Sequence, residues 1–147
     1  MDGFIKDNSL EPKNLKLYFV SPPGVSCACR IDGESYAVAS LYNNIHLFNL
    51  STGKSTQQFY AHDDKITSVL FRDNVLITCS FDYLIKVWDL SQSQIKMPIS
   101  VHFEHCDKIF SADLHPTQDL MVSVDAEGRV ICRQVKNPNN VIANLQP

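Results

Sequence analysis

The feature that most constrains the fold of this chain is a strand–turn–strand pattern that occurs three times. The segments YAVASLYNNIHLFNL (36–50), LITCSFDYLIKVWDL (76–90) and MVSVDAEGRVICRQV (121–135) align without gaps. They begin at residues 36, 76 and 121, and are therefore 40 and 45 residues apart. One short β-rich run precedes each segment and another follows it, so we expect four strands in each repeat.

The whole chain shows the same β-rich character. Short runs of β-branched and aromatic residues are separated by Gly, Asn, Asp, Pro and Ser, which favour hairpin turns. Helical periodicity is nearly absent, so we predict an all-β fold. A repeat of this length with four strands is typical of antiparallel four-stranded blades. We align the first strands as CACRI (27–31), TSVLF (67–71) and FSADL (110–114), and place the fourth strands at 56–60, 97–103 and 141–145.

Composition excludes several classes of protein. The 147 residues carry a net charge of −3, and their lysines and arginines are scattered, which argues against a nucleic-acid partner. No apolar stretch approaches the roughly 20 residues that a membrane helix needs, so we expect no membrane span. The polar, acidic N-terminus does not resemble a signal peptide. Five cysteines, an odd number, lie in strand-like runs and suit reduced thiols, so we expect a cytoplasmic location, with the nucleus as the alternative.

The middle repeat carries a more specific motif within residues 61–90, AHDDKITSVLFRDNVLITCSFDYLIKVWDL. It begins with Ala61-His62, has Asp82 in its turn and ends with Trp88-Asp89. In these residues the chain resembles the WD-repeat (WD40) β-propeller family, whose members usually have Gly-His where this chain has Ala61-His62. The resemblance covers roughly residues 15–147. It implies antiparallel four-stranded blades of a WD-repeat β-propeller.

The resemblance also divides the chain. Residues 1–14 are expected to be an N-terminal tail or the remnant of a preceding blade, since DGFIK (2–6) is similar to DYLIK (82–86). Propellers need about four blades to close, so three repeats imply an incomplete, open array and a chain that is part of a longer protein or a truncated product. Residues 15–147 are then the propeller segment, with blades at about 24–60, 62–103 and 105–145.

In the family pattern, four side chains of the middle repeat form a hydrogen-bonded tetrad. The Trp88 indole only donates, the Thr78 hydroxyl does both and the Asp82 carboxylate only accepts. A chain from Trp88 through Thr78 and His62 to Asp82 would therefore satisfy every polar group. No Gly-x-Ser-x-Gly elbow accompanies these residues. We expect the tetrad to hold the blade together rather than to act in catalysis.

The tetrad positions are occupied differently in the other two repeats, which should therefore depend more on packing. The corresponding residues are His105, Ser123, Glu127 and Arg133 in the third repeat, and Val38, Tyr42 and Phe48 in the first.

Metal and cofactor sites are not expected. Cys27 and Cys29 point to the same side of a predicted strand, but zinc needs a second ligand pair at a recognisable spacing. The sequence has no such pair and no His-Glu-x-x-His motif. We predict no metal, no cofactor and no catalytic residue.

The resemblance implies a non-catalytic protein-interaction scaffold or adaptor within a multiprotein complex. The expected partner is a protein or peptide rather than a small-molecule substrate. Three contexts remain open: a substrate receptor of a ubiquitin ligase, a membrane-trafficking scaffold, and an adaptor in a signalling or RNA-processing complex. The alternative from a different class is a propeller-based enzyme, which would need convergent acid, base or metal groups at the propeller axis.

The family docks its partners on the face that bears the loops before each first strand and the turns after each second strand. An apolar rim of Leu41, Phe81 and Phe110, flanked by two lysines, would suit protein binding. The alternative is that these side chains pack between neighbouring blades. Alignment assigns to this face Val25, Cys27 and Leu41 in the first repeat, Lys65, Thr67 and Phe81 in the second, and Lys108, Phe110 and Ala126 in the third.

Overall fold

A computed structural model describes residues 4–7, 16–19, 24–137 and 139–147 of the chain. These residues form fourteen β-strands and no helix. No part of the described chain therefore forms a helix that could cross a membrane. Strands β1 (Phe4–Asp7) and β2 (Lys16–Phe19) make a two-stranded antiparallel ribbon. The other twelve form three four-stranded antiparallel sheets, which confirms the predicted fold class.

In each sheet the strands lie side by side in chain order. The first sheet consists of β3 (Val25–Arg30), β4 (Ser35–Ser40), β5 (Asn44–Asn49) and β6 (Lys54–Tyr60). The second consists of β7 (Ile66–Arg72), β8 (Val75–Ser80), β9 (Ile85–Asp89) and β10 (Ser100–His102). The third consists of β11 (Ile109–Leu114), β12 (Met121–Asp125), β13 (Val130–Arg133) and β14 (Val141–Leu145).

The outer strand of the second sheet is shorter than the run predicted at 97–103. Only Ser100–His102 pair with β9 as a strand. Pro98 lies inside the predicted run and has no N–H to donate to a neighbouring strand. The ladder therefore starts after Pro98, where the Ile99 N–H donates to the Val87 carbonyl at 2.8 Å.

Tight turns connect several of the neighbouring strands. Asp73 and Asn74 have φ angles of 49° and 65°, as a two-residue type I′ hairpin requires. The turn after each second strand has a left-handed residue at the same position of the repeat: Asn43 (66°), Tyr83 (72°) and Gly128 (82°). Asn and Gly adopt this conformation readily, whereas a bulky residue such as Tyr83 rarely does.

Among the described residues, two layers of the core lie between neighbouring sheets. Ile45, Leu76 and Trp88 belong to the layer between the first and second sheets, where the Trp88 and Phe59 ring centroids are 4.7 Å apart. The layer between the second and third sheets contains Ile77, Cys79, Ile85, Val87, Ile109, Met121 and Val135. The second sheet is therefore covered on both faces.

The three first strands, β3, β7 and β11, lie next to one another and form the inner edge of the array. Direct hydrogen bonds join β7 to β11. The Thr67 hydroxyl donates to the Ile109 carbonyl at 2.8 Å, and the Ala112 N–H donates to Ser68 Oγ at 3.0 Å. These bonds fix the loops before the first strands close to one another at one end of the inner edge.

Candidate functional site

The structure brings the four tetrad residues of the second sheet into one hydrogen-bonded chain. Trp88 Nε1 donates to Thr78 Oγ1 at 2.9 Å, and Thr78 Oγ1 lies 2.7 Å from His62 Nε2. His62 Nδ1 lies 2.8 Å from Asp82 Oδ2. Because the carboxylate only accepts, His62 donates through Nδ1 and accepts the Thr78 proton at Nε2. Every polar group of the chain of bonds has a partner.

Asp82 anchors the turn from the inside. Burial raises the pKa of its carboxyl group, but the hydrogen bond from His62 and the N–H groups of Asp63 and Leu84 lower it. The net pKa is below its ordinary value, so the carboxylate remains an acceptor at neutral pH. It therefore holds the loop before β7 against the turn after β8.

The third sheet contains a similar arrangement with a different carboxylate. His105 Nε2 lies 2.7 Å from Ser123 Oγ, and His105 Nδ1 lies 2.8 Å from Asp125 Oδ2. The sequence-based assignment of Glu127 to this position is wrong: Glu127 is exposed, and its backbone N–H donates to Asp125 Oδ1 at 3.1 Å. Asp125 is the last residue of β12, in the position of Ser80, so its side chain reaches His105 from the strand rather than from the turn.

An ion pair occupies the place of the tryptophan in the third sheet. The Arg133 side chain is buried, and Nη2 and Nη1 lie 3.1 Å and 3.4 Å from the two carboxylate oxygens of Glu104. Arg129 Nη1 also donates to the Glu104 carbonyl at 2.7 Å. Sequence reasoning missed Glu104 as the partner of Arg133. The signal that could have identified it is the arginine at the tryptophan position, because a buried guanidinium needs a nearby carboxylate.

The first sheet has an apolar cluster at the corresponding positions. Val38 and Phe48 are buried together with Leu50. Tyr42, which occupies the position of Asp82, is 60% exposed. Packing therefore replaces the polar network in this sheet.

Two of these arrays have the order of a hydroxyl nucleophile, a histidine base and a carboxylate. However, Thr78 and Ser123 are both 0% exposed, so neither hydroxyl can meet a substrate in this conformation. The Thr78 oxygen also already accepts the indole N–H. The geometry suits a brace within a sheet.

The described residues include no group of three His, Cys, Asp or Glu side chains that could hold a metal ion. All five cysteines are free thiols. Burial raises the pKa of Cys27, and burial also raises that of Cys29 to about 12, so both remain protonated at neutral pH. Protonated thiols are poor metal ligands.

Four of the residues predicted for the docking face form a compact group, which we call the loop-face cluster: Lys65, Phe81, Lys108 and Phe110. The rings of Phe81 and Phe110 meet edge to face, with centroids 5.6 Å apart. The ammonium groups of Lys65 and Lys108 lie 5.6 Å and 5.3 Å from the Phe81 centroid. Phe110 is 54% exposed and Phe81 is half-buried.

The other two predicted residues lie apart from this group. Thr67 is half-buried in the contact between β7 and β11, where its hydroxyl is hydrogen-bonded to backbone carbonyls. Leu41 is exposed on the first sheet and packs on Gly24, at which a Cβ atom would lie only 2.4 Å from Leu41 Cδ1. Of the six predicted residues, Thr67 and Leu41 therefore make contacts within the fold and do not belong to the loop-face cluster.

The register corrects two further assignments. Val25, Ile66 and Ile109 pair with equivalent residues of the second strands, so Gly24 rather than Val25 corresponds to Lys65. Ser26 rather than Cys27 corresponds to Thr67, and both hydroxyls donate to equivalent carbonyls. Five residues lie between the paired Arg30 and Tyr36, but four lie between the equivalent Phe71 and Leu76. The first hairpin is therefore one residue longer, which shifts the sequence alignment by one.

Comparison with known proteins agrees with this geometry. Residues 53–89 match the family model "WD domain, G-beta repeat". The chain is 28% identical over 131 residues to the WD40 repeat protein poxJ of Penicillium oxalicum, covering 85% of this chain and 36% of that protein. It is 33% identical over 112 residues to the transcriptional corepressor LEUNIG_HOMOLOG of Arabidopsis thaliana, covering 72% of this chain and 14% of that protein.

The same fold occurs in a chain of the crystal structure of the mitotic checkpoint complex. The TM-score is 0.83 at 12% identity, over 99% of this chain and 45% of that one. The present chain thus spans about a third of poxJ and less than half of the structural match. Its repeats, its sheets and these likenesses identify it as a member of the WD40-repeat family, a partial β-propeller of about three blades.

Proposed function

We propose that this chain is a non-catalytic protein-interaction module of a multiprotein complex, and that a partner docks on the loop-face cluster. The observation that carries the proposal is the pair Phe81 and Phe110, aromatic rings from two neighbouring sheets that meet at the end of the inner edge. Exposed aromatic residues are typical centres of protein interfaces.

The relatives support the general part of this proposal. One is named as a transcriptional corepressor, and the structural match comes from a complex. WD40-repeat proteins act as interaction scaffolds, and this chain has the fold for such a role. A ubiquitin-ligase receptor, a trafficking scaffold and a signalling or RNA-processing adaptor remain the candidate settings.

A non-catalytic role is supported by the enclosed hydroxyls of the two histidine arrays. The five free thiols favour a reducing compartment, so we place the protein in the cytoplasm, with the nucleus as the alternative.

Site-specific photo-crosslinking in the source cells tests the docking face. A photoreactive phenylalanine analogue replaces Phe110 in one variant and Phe103 in another. Phe103 is a matched control because it is 71% exposed and follows the outer strand β10, on another part of the molecule. We expect a protein adduct from position 110 and none of the same protein from position 103.

The protein identified in the adduct, once purified, should then bind the unmodified chain. Phe110→Ala should weaken this binding by at least about tenfold. Phe103→Ala should leave it unchanged. Adducts formed only at position 103, or equal binding by both alanine variants, would place the docking surface elsewhere.

A further inference from the structure

We propose that the loop-face cluster binds a short acidic segment of the partner protein, one that also carries a large apolar side chain. This inference rests on the proposed function and adds the chemistry of the partner. The charges and the apolar area of the cluster each support it.

Two positive charges surround one aromatic ring. Lys65 and Lys108 are exposed, and their ammonium groups both lie within 6 Å of the Phe81 centroid, at 5.6 Å and 5.3 Å. Each lysine follows an aspartate, Asp64 or Asp107, whose carboxylate accepts the backbone N–H of that lysine at 2.6 Å. Neither ammonium group forms an ion pair with any carboxylate of the described residues.

The cluster therefore combines two ammonium groups that form no ion pair among the described residues with an exposed apolar ring. Covering the Phe110 ring removes apolar area from water, which is favourable. A partner that covers this ring must also bring groups close to both lysines. Carboxylates there would gain favourable charge interactions and speed association, whereas lysine or arginine would be repelled.

The backbone makes the spacing of these groups rigid. The Phe81 N–H donates to the Lys65 carbonyl at 3.0 Å, and the Ala126 N–H donates to the Lys108 carbonyl at 2.9 Å. The bond from the Thr67 hydroxyl to the Ile109 carbonyl also fixes the second and third sheets relative to each other. A preorganised surface loses little conformational entropy on binding, which favours recognition of a short segment.

A fluorescein-labelled synthetic peptide with a Leu-Phe pair between two glutamate pairs is the probe. Its matched control has glutamine in place of each glutamate. By fluorescence anisotropy, we expect the full chain to bind the acidic peptide roughly three- to tenfold more tightly than the glutamine peptide. This difference should shrink as salt is added, because exposed charges are screened.

Charge reversal gives the sharper test. The double variant Lys65→Glu, Lys108→Glu should lose the preference for the acidic peptide and gain one for a version with lysine in place of glutamate. The matched control, Lys54→Glu with Lys96→Glu, changes the net charge equally at exposed sites on other strands and loops. It should bind as the original chain does, and all variants should melt at similar temperatures.

The outcomes separate the two proposals. Equal binding of the acidic and glutamine peptides, or no reversal of preference in the double variant, overturns the acidic partner while leaving the docking face intact. If the acidic peptide does not bind at all, the proposed chemistry of the partner is likewise overturned. The docking face itself is overturned by the crosslinking comparison of positions 110 and 103, which uses no peptide.

Discussion

Trp88 and Arg133 occupy the same position of two repeats, and both are buried, but they depend on their surroundings in different ways. Trp88 needs one acceptor and contributes a large apolar ring. Arg133 needs an anion, which Glu104 provides. The Glu104 side chain is 34% exposed, but its removal would deprive the buried Arg133 guanidinium of that carboxylate, which is destabilising. The third sheet therefore depends on a residue outside its own strands.

A first prediction concerns the carboxylate of the third sheet. Asp125→Ala removes the acceptor for His105 and for the N–H groups of Glu127 and Arg129, so we expect a loss of about 2–4 kcal/mol in the free energy of unfolding. Glu127→Ala is the matched control at an exposed position and should change it by less than about 0.5 kcal/mol. Urea unfolding followed by circular dichroism measures both. Equal losses would contradict the role of Asp125.

A second prediction concerns pH. His46 is buried on β5, and its Nε2 has no hydrogen-bond partner among the described residues. Burial lowers the pKa of His46, so below about pH 6.5 the unfolded chain binds a proton there that the folded chain does not bind. Stability due to neutral His46 is therefore present above this pH and declines as the pH falls.

The variant His46→Leu tests this sign. Its urea midpoint should fall less between pH 7 and pH 5 than that of the original chain. It should still fall to some extent, because burial also lowers the pKa of His102 and His105. Identical pH dependence of the two proteins would show that His46 does not titrate in this way.

At the level of single residues, the sequence predicts those site residues that spacing and donor–acceptor chemistry identify. His62, Thr78, Asp82 and Trp88 can be chosen together because their spacing fits the family pattern and their groups can pair. Asp125 could not be identified in this way as the partner of His105. A carboxylate can reach a histidine from the end of a strand or from a turn, and the direction of its side chain decides which.

At the level of strands and turns, the turn after each second strand has a fixed backbone requirement. Asn43, Tyr83 and Gly128 all adopt the left-handed conformation at one position of the repeat. The turn itself imposes this conformation, since three different residue types adopt it at this position. Tyr83 is the residue that this conformation suits least.

Two substitutions with opposite expected signs test this requirement. Tyr83→Gly should raise stability, by up to about 1 kcal/mol, because relief of the left-handed strain outweighs the added freedom of the unfolded chain. Gly128→Ala should lower it by about 1 kcal/mol, since the nearest atom to the new Cβ, Pro147 Cγ, is 3.8 Å away and only the backbone opposes the change. Thermal unfolding measures both, and shifts of the same sign would contradict the explanation.

Strand number and order follow from the sequence because alternation and turn residues repeat three times. The bulges do not, because they leave no residue-type signal: each first strand has one, as between Ile66 and Ser68. A hairpin one residue longer in the first sheet is equally hard to see. The longer hairpin misplaces Val25 and Cys27 in the alignment, since the bulge lies at the same position of all three first strands.

At the level of the whole molecule, each sheet covers the one before it. Ile77 on the second sheet is 2% exposed under the third, whereas Val122, at the same position of the third sheet, is 40% exposed. Stability in such an array is roughly a sum of terms for each unit and for each contact between neighbours. The third sheet has one such contact among the described residues, and the second has two.

The single tryptophan has a practical consequence for following this molecule in solution. Trp88 lies between its own sheet and Phe59 of the first, so its emission spectrum reports on that one contact. Far-ultraviolet circular dichroism reports on all strands at once. In the variant Glu104→Gln, which weakens the third sheet, we expect ellipticity to change at lower urea than the emission maximum. Superimposable curves in that variant would mean that the sheets unfold as one unit, and the fluorescence of a single residue would then describe the entire chain.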